Sequence, residues 1–184
     1  MFLFLIPLLI GFAFNSASAF TAVYSSKFGE RRGKLVCIIL RDVVGIPVWV
    51  IGYAMAALAK SSAIFAPTWL ISILAWMLIL AGATIIIVGM FSLRWKAAAP
   101  SVNDTLVVSG LYAHIRHPLY SGMLLQLVGL FLWFPSLAMM TACLVGMVWV
   151  MLQARLEEMD LVQRLPAYKE YMQRVPRFVP RFPG

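Results

Sequence analysis

Two stretches of this chain carry side chains capable of chemistry. The first is SGLYAHIRHPLYSG, residues 109–122, which sets two histidines, an arginine and two tyrosines at the head of a long apolar run. The second is RLEEMDL, residues 155–161, which closes that run and is followed by YKEY at 168–171. Such clusters add nothing to insertion into a bilayer, so they need another reason to be there. Arg116 and Arg155 are fixed cations, Glu157 and Glu158 are anions or acceptors, and His117 can donate and accept. Tyr112 and Tyr120 supply rings that also hydrogen-bond. Gly110 and Gly122 permit close backbone approach, and Pro118 sets the direction of the helix after His117. No Ser or Cys dyad, two-histidine metal helix or phosphate-cradling glycine loop is present. The inventory suits binding of a polar, partly cationic small molecule at the edge of a bilayer.

The elements that must position these residues are apolar helices. Of the 184 residues, 62% are hydrophobic and 12% charged, against about 45–50% apolar and about 25% charged in a soluble domain. The chain is therefore an all-α integral membrane protein and one domain. Its net charge of +8 is spread between apolar spans and forms no single basic face, which excludes nucleic acid as a partner. The membrane lipids are its surroundings. Cys37 and Cys143 have no metal-ligand spacing and read as small reduced residues.

The first span is Phe2 to Ser26; the SASAF at 16–20 resembles a leader cleavage site, but no Lys or Arg precedes the apolar stretch, so it is read as a retained helix. The second runs from Leu35 to Ala59, with Arg41 and Asp42 snorkelling near its entrance. The third runs from Thr68 to about Met90, with Pro67 at its start. Pro118 to Ala154 carries no charge and is too long for one crossing; WFPS at 133–136 divides it into a short helical hairpin. That makes five crossings: three spans in residues 1–96, then a core in 97–184 ending in an interfacial helix. Alternate connectors are basic, and 14 of the 15 Lys and Arg fall on one side. The positive-inside rule then places the N-terminus outside and the C-terminus in the cytoplasm. Residues 104–122 lead into the hairpin and 155–171 leave it, so both groups meet at its open end, on the cytoplasmic face.

These residues resemble the isoprenylcysteine carboxyl methyltransferases and the related phospholipid methyltransferases, membrane enzymes that use S-adenosylmethionine. The resemblance covers about 104–180 and rests on Gly-x-Tyr, RHPxY, a hairpin, EExxL and YxxY taken together. It implies a cofactor site made of Asp104, Thr105, Leu106 and Val107, then Tyr112, then His117, Pro118, Leu119 and Tyr120, and finally Glu157. It implies Tyr112 and Tyr120 facing the sulfonium, and Arg116 or Arg155 pairing with the methionine carboxylate or an anionic acceptor. For an amine acceptor, His117 or Glu158 would take the proton. Gln153 stands where the prenylcysteine enzymes have an arginine that holds substrate, which weakens the case for that acceptor. RLPAY replaces the usual Phe-Gly before the tyrosine.

The function implied is methyl transfer to a lipophilic or prenylated acceptor. A nicotinamide-dependent reductase of the sterol-reductase type is the alternative, disfavoured by Leu119 and Met123 where that family has Asn and an acidic residue. A non-catalytic scaffold is the other, disfavoured by the intact glutamate pair. Elsewhere, plainer readings hold: His114 exposed or structural, Tyr168 and Tyr171 an interfacial packing pair, Gly82, Gly89 and Gly129 helix contacts, and the Arg–Phe tail at rest on the membrane surface.

Overall fold

The computed structural model describes residues 2–93 and 105–180. Seven helices form among them: α1 (Leu5–Ala17), α2 (Thr21–Phe28), α3 (Glu30–Leu58), α4 (Trp69–Leu93), α5 (Pro118–Trp133), α6 (Leu137–Arg164) and α7 (Tyr168–Arg174). No named strand occurs among the described residues; a single bridge joins Ala63 to Ser136. Three helices, α3, α4 and α6, are long and apolar enough to cross a membrane, and α1 with α2 would make a fourth. The protein is thus a multi-pass membrane protein. α5, with 16 residues, falls short of that length.

The expected first span is not one helix. It breaks at Ser18–Phe20 and turns by 63° between α1 and α2. Local polar groups explain the break: Ser18 Oγ donates to Asn15 O at 2.6 Å, a side-chain bond that competes with helix continuation. The new helix start is capped from across the fold, where Ala22 N donates to Asp160 Oδ1 at 2.8 Å. The second span also starts earlier than the sequence suggested. Gly29, at φ 79°, makes the elbow, and α3 takes in Arg31, Arg32 and Lys34. Within α3, Ile39–Gly45 forms a wider π turn.

The third span begins as its sequence reads: Thr68 Oγ1 caps Ile71 N at 3.3 Å, just after Pro67. The hairpin also forms where WFPS interrupts the apolar run. Ser136 Oγ accepts from Met139 N at 3.2 Å, and the turn is tied to the α3–α4 connector through Ile64 N–Pro135 O at 2.8 Å and Leu137 N–Ser62 O at 3.0 Å. α6 does not end near Ala154. It runs unbroken to Arg164, so RLEEMDL lies on the hairpin helix itself and not in a separate tail. The core gathers Phe4, Leu8, Phe12, Ala56, Met139 and Val150, and Phe12 stacks on Trp149 at 4.3 Å. α4 and α5 pack backbone to backbone, because a Cβ on Gly82 would lie 2.4 Å from Gly122 O. Gly89 and Gly129 serve similar contacts.

Candidate active site

Residues Gly110–Ala113 form a tight 3₁₀ turn that buries Tyr112; Gly110 enters it at φ 61°. His117 is the N-cap of α5 and Pro118 its first residue, so the imidazole stands at the helix mouth. Pro118 itself is buried against Gly89 and does not line the cavity. The chain past α7 returns over this mouth. Arg116 N donates to Pro176 O at 2.9 Å, His117 N to Arg177 O at 3.0 Å and Ser121 Oγ to Phe178 O at 2.7 Å. The Phe178 ring lies 6.1 Å from that of His117. The Arg–Phe tail is therefore a strap over the motif, where the sequence suggested a segment lying on the lipid surface.

The two adjacent glutamates of α6 have different surroundings. Glu158 is buried and receives Arg116 Nη2 at 3.1 Å, His117 Nε2 at 3.1 Å, and Arg177 through Nε at 3.1 Å and Nη2 at 2.5 Å. Its carboxylate only accepts, so the imidazole Nε2 must donate to it. With two guanidinium groups and the imidazole on it, Glu158 anchors this cluster. Arg116 is held in the same cluster, and also donates to Met172 O at 2.5 Å. Glu157 has a side chain 34% exposed and faces the cavity. It accepts from Tyr120 Oη and, at 3.3 Å, from Gln153 Nε2, while His117 Nδ1 stands 4.0 Å away.

A cavity of about 560 Å³ opens at this point. Thr105, Leu106, Val107, Tyr112, Arg116, His117, Leu119, Tyr120 and Glu157 all line it. Asp104 lies outside the described residues. Arg155, expected as a catalytic residue, is exposed and is not among the residues lining the cavity, because α6 continues as a helix and turns that position outward. Tyr168 and Tyr171 do pack together, with rings 5.5 Å apart, yet both also line the cavity. Tyr171 Oη donates to Tyr112 O at 2.6 Å. Burial pushes the phenols of Tyr112 and Tyr168 up, and that of Tyr171 up to about 12, so all three are neutral donors at ordinary pH.

Sequence reasoning missed the opposite wall. Asn15 and Ser18 of α1, Thr21 of α2, Arg41, Asp42 and Trp49 of α3, and Asp160 and Arg164 of α6 also line the cavity. The signal for Arg41 and Asp42 was present, as charges within an apolar run. They lie about three turns inside α3, not at its end as read from the sequence.

The cavity fits a cofactor the size of S-adenosylmethionine, since such ligands occupy pockets of roughly 300–1,000 Å³. Two residues lining it carry polar atoms without partners: Arg116 Nε and Tyr168 Oη are buried with no hydrogen bond among the described residues. No group of three His, Cys, Asp or Glu that could hold a metal occurs among the described residues.

The model of a family described as phospholipid methyltransferase matches residues 70–167. The chain is 37% identical over 142 residues to the cobalt-zinc-cadmium resistance protein CzcN of Cupriavidus metallidurans. That alignment takes in 74% of this chain and 63% of the relative's length. No solved structure matches the chain.

Proposed function

The chain belongs to the phospholipid methyltransferase family, and from that premise we propose that it moves the methyl group of S-adenosylmethionine onto a lipophilic acceptor at the cytoplasmic face of a membrane. The observation that carries this reading is one cavity lined both by His117, at the head of the hairpin, and by Glu157, at its exit. S-adenosylmethionine, when bound, supplies a methyl on a sulfonium, which passes to the acceptor's nucleophilic atom while the carbon–sulfur pair returns to sulfur.

The protein's part is positioning, which can supply roughly 7–11 kcal/mol of a barrier of this kind. Glu157 accepts hydrogen bonds from the hydroxyl or amino groups of the donor. The rings of Tyr112 and Tyr120 offer faces to a cation, a contact of about 0.5–2 kcal/mol. Arg116, with Nε unspent, stands beside them as a fixed positive charge. Glu158 holds His117 and Arg116 in place and moves no proton. The strap at 175–180 excludes water from the mouth of α5. A carboxylate acceptor needs no base; an amine acceptor would lose its proton to His117. Membrane lipids or a prenylated molecule supply the acceptor, and Gln153 argues against a prenylcysteine. The bent α1–α2 pair and the short α5 complete five crossings, with the N-terminus outside, the C-terminus cytoplasmic and α7 at the interface.

Calorimetric titration of the purified protein in detergent with S-adenosylhomocysteine tests the reading. Binding is expected, lost in Glu157→Ala while that variant still unfolds cooperatively. Normal affinity in that variant, or binding of NADPH in place of the homocysteine, would overturn it.

A further inference from the structure

The family match ends at residue 167, so the strap at 175–180 lies beyond it. Resting on the methyl-transfer reading, we infer that Arg177 on this strap is a positioning residue: its charge offsets the carboxylate that would otherwise draw a second proton onto His117, and so keeps the imidazole a hydrogen-bond acceptor towards the cavity.

Arg177 holds His117 from two sides. Its carbonyl accepts from His117 N at 3.0 Å. Its guanidinium forks onto Glu158, with Nε on Oε1 at 3.1 Å and Nη2 on Oε2 at 2.5 Å. His117 Nε2 shares the same Oε1, also at 3.1 Å. The bond made by one imidazole nitrogen decides the state of the other. With Nε2 donating to Glu158, Nδ1 keeps its lone pair. It turns towards Glu157, whose Oε2 is 4.0 Å away and which lines the cavity. Two acceptors placed so leave room for an N–H or O–H group of a ligand.

The competing state is an imidazolium, which a carboxylate on either side favours. Charge balance opposes it. Among the described residues, the groups around the ring are Glu157 and Glu158 of α6, Arg116 next to it in the chain, Arg177 on the strap, and Tyr120 of α5, whose ring lies 5.5 Å away. Two carboxylates thus meet two guanidiniums. Further out, Arg41 of α3 acts on Glu157 and is paired with Asp42, and burial keeps Tyr168 of α7 a neutral phenol. Without Arg177 the balance tips to one net negative charge, and the imidazole becomes the place for a compensating proton. Arg116 is 9% exposed and also tied to Met172 O, whereas Arg177 is 30% exposed. Arg177 is therefore the cation that can be removed with the smaller disturbance.

The chain holds two histidines, His114 exposed and His117 buried, so NMR of the ring nitrogens reads His117 beside a built-in reference. In purified protein in detergent at neutral pH, His117 is expected with its proton on Nε2 and Nδ1 bare. Arg177→Gln should raise its proton affinity by about tenfold or more, the usual effect of losing a neighbouring opposing charge, while His114 titrates as before. Arg177→Lys, which keeps the charge, should restore the titration. Phe178→Ala, which takes a ring away from the imidazole and leaves the charge, should not move it. At neutral pH, S-adenosylhomocysteine should bind Arg177→Gln about tenfold more weakly, and regain affinity once the pH is raised by about one unit. A purely structural loss would show no such recovery. The inference fails if His117 titrates alike in Arg177→Gln and the unmodified protein, if Arg177→Lys behaves as Arg177→Gln does, or if the unmodified protein carries a proton on Nδ1. Should Arg177→Gln fail to fold, the proton position in the unmodified protein still decides. Absence of S-adenosylhomocysteine binding in the unmodified protein would instead sink the methyl-transfer reading, and is read out separately.

Discussion

The two walls of the cavity are held together by different forces. The wall made by the hairpin mouth and the strap is fixed by charge: two arginines and a histidine converge on Glu158. The wall made by α1, α2 and α3 is fixed mainly by shape. There the backbones touch at glycines: a Cβ on Gly11 would lie 2.4 Å from Trp49 N, and one on Gly52 would lie 2.8 Å from Leu8 N. Polar ties between that wall and α6 among the described residues include Ala22 N to Asp160, Trp149 Nε1 to Ser16 Oγ at 3.0 Å and Tyr53 Oη to Ala142 O at 3.3 Å. A charge cluster fixes distances and directions tightly, which suits a donor site that must hold a reacting geometry. Shape packing tolerates changes of occupant, which suits an acceptor side.

The sharpest break in this comparison is Glu158→Ala. It strips the cluster of the buried carboxylate that Arg116, His117 and Arg177 share. Stability should fall by about 3–5 kcal/mol, read by denaturant unfolding in detergent. Glu157→Ala, one residue earlier on the same helix, should cost less, about 1 kcal/mol for the bonds from Tyr120 and Gln153, while abolishing donor binding. Equal loss of stability in both would show that the two glutamates are not divided as described.

A smaller effect is expected from Asp160→Asn, which weakens the cap on α2 and the pair with Arg164 Nε at 2.6 Å. The loss should be about 1.5–3 kcal/mol, with proteolysis opening first at the α1–α2 bend. Donor affinity should change little, since the hairpin wall stands without it. The smallest effect is set by pH. The phenol of Tyr171 is raised from 10.0 to about 12 by burial. A raised value means the neutral form is favoured in the fold, so its contribution is complete below pH 10 and lost as pH climbs from 10 to 12. Fluorescence should then report loosening of α7 from Tyr112 in that window, and Tyr171→Phe should remove this step.

Much of this arrangement can be read directly in the chain. Ser136 and Pro135 stop one helix and start another, so the hairpin is visible locally. Pro118 after His117 sets the imidazole at a helix mouth, and the apolar run between the two motifs brings them back to one end. The difference between Glu157 and Glu158 is not visible, because adjacent residues on a helix point about 100° apart and only the packing reveals which direction meets the arginines. Arg155 looked equal to Arg116 for the same reason. Arg177 offered no sign that it would return to Glu158, since the contact is made by a strap whose path depends on the carbonyls of Pro176 and Arg177 meeting the amides of the motif.

Composition and punctuation alone determined that this chain is a bundle of membrane helices with a chemically equipped hairpin, because apolar length, proline and capping residues act over a few neighbouring positions. Tertiary structure decided which carboxylate faces the cavity, that α1 bends, and that Arg41 lines the cavity. Those outcomes depend on atoms brought together from distant turns of the chain, such as His117 with Glu158 and Ala22 with Asp160, and no local pattern encodes the direction in which such partners will meet.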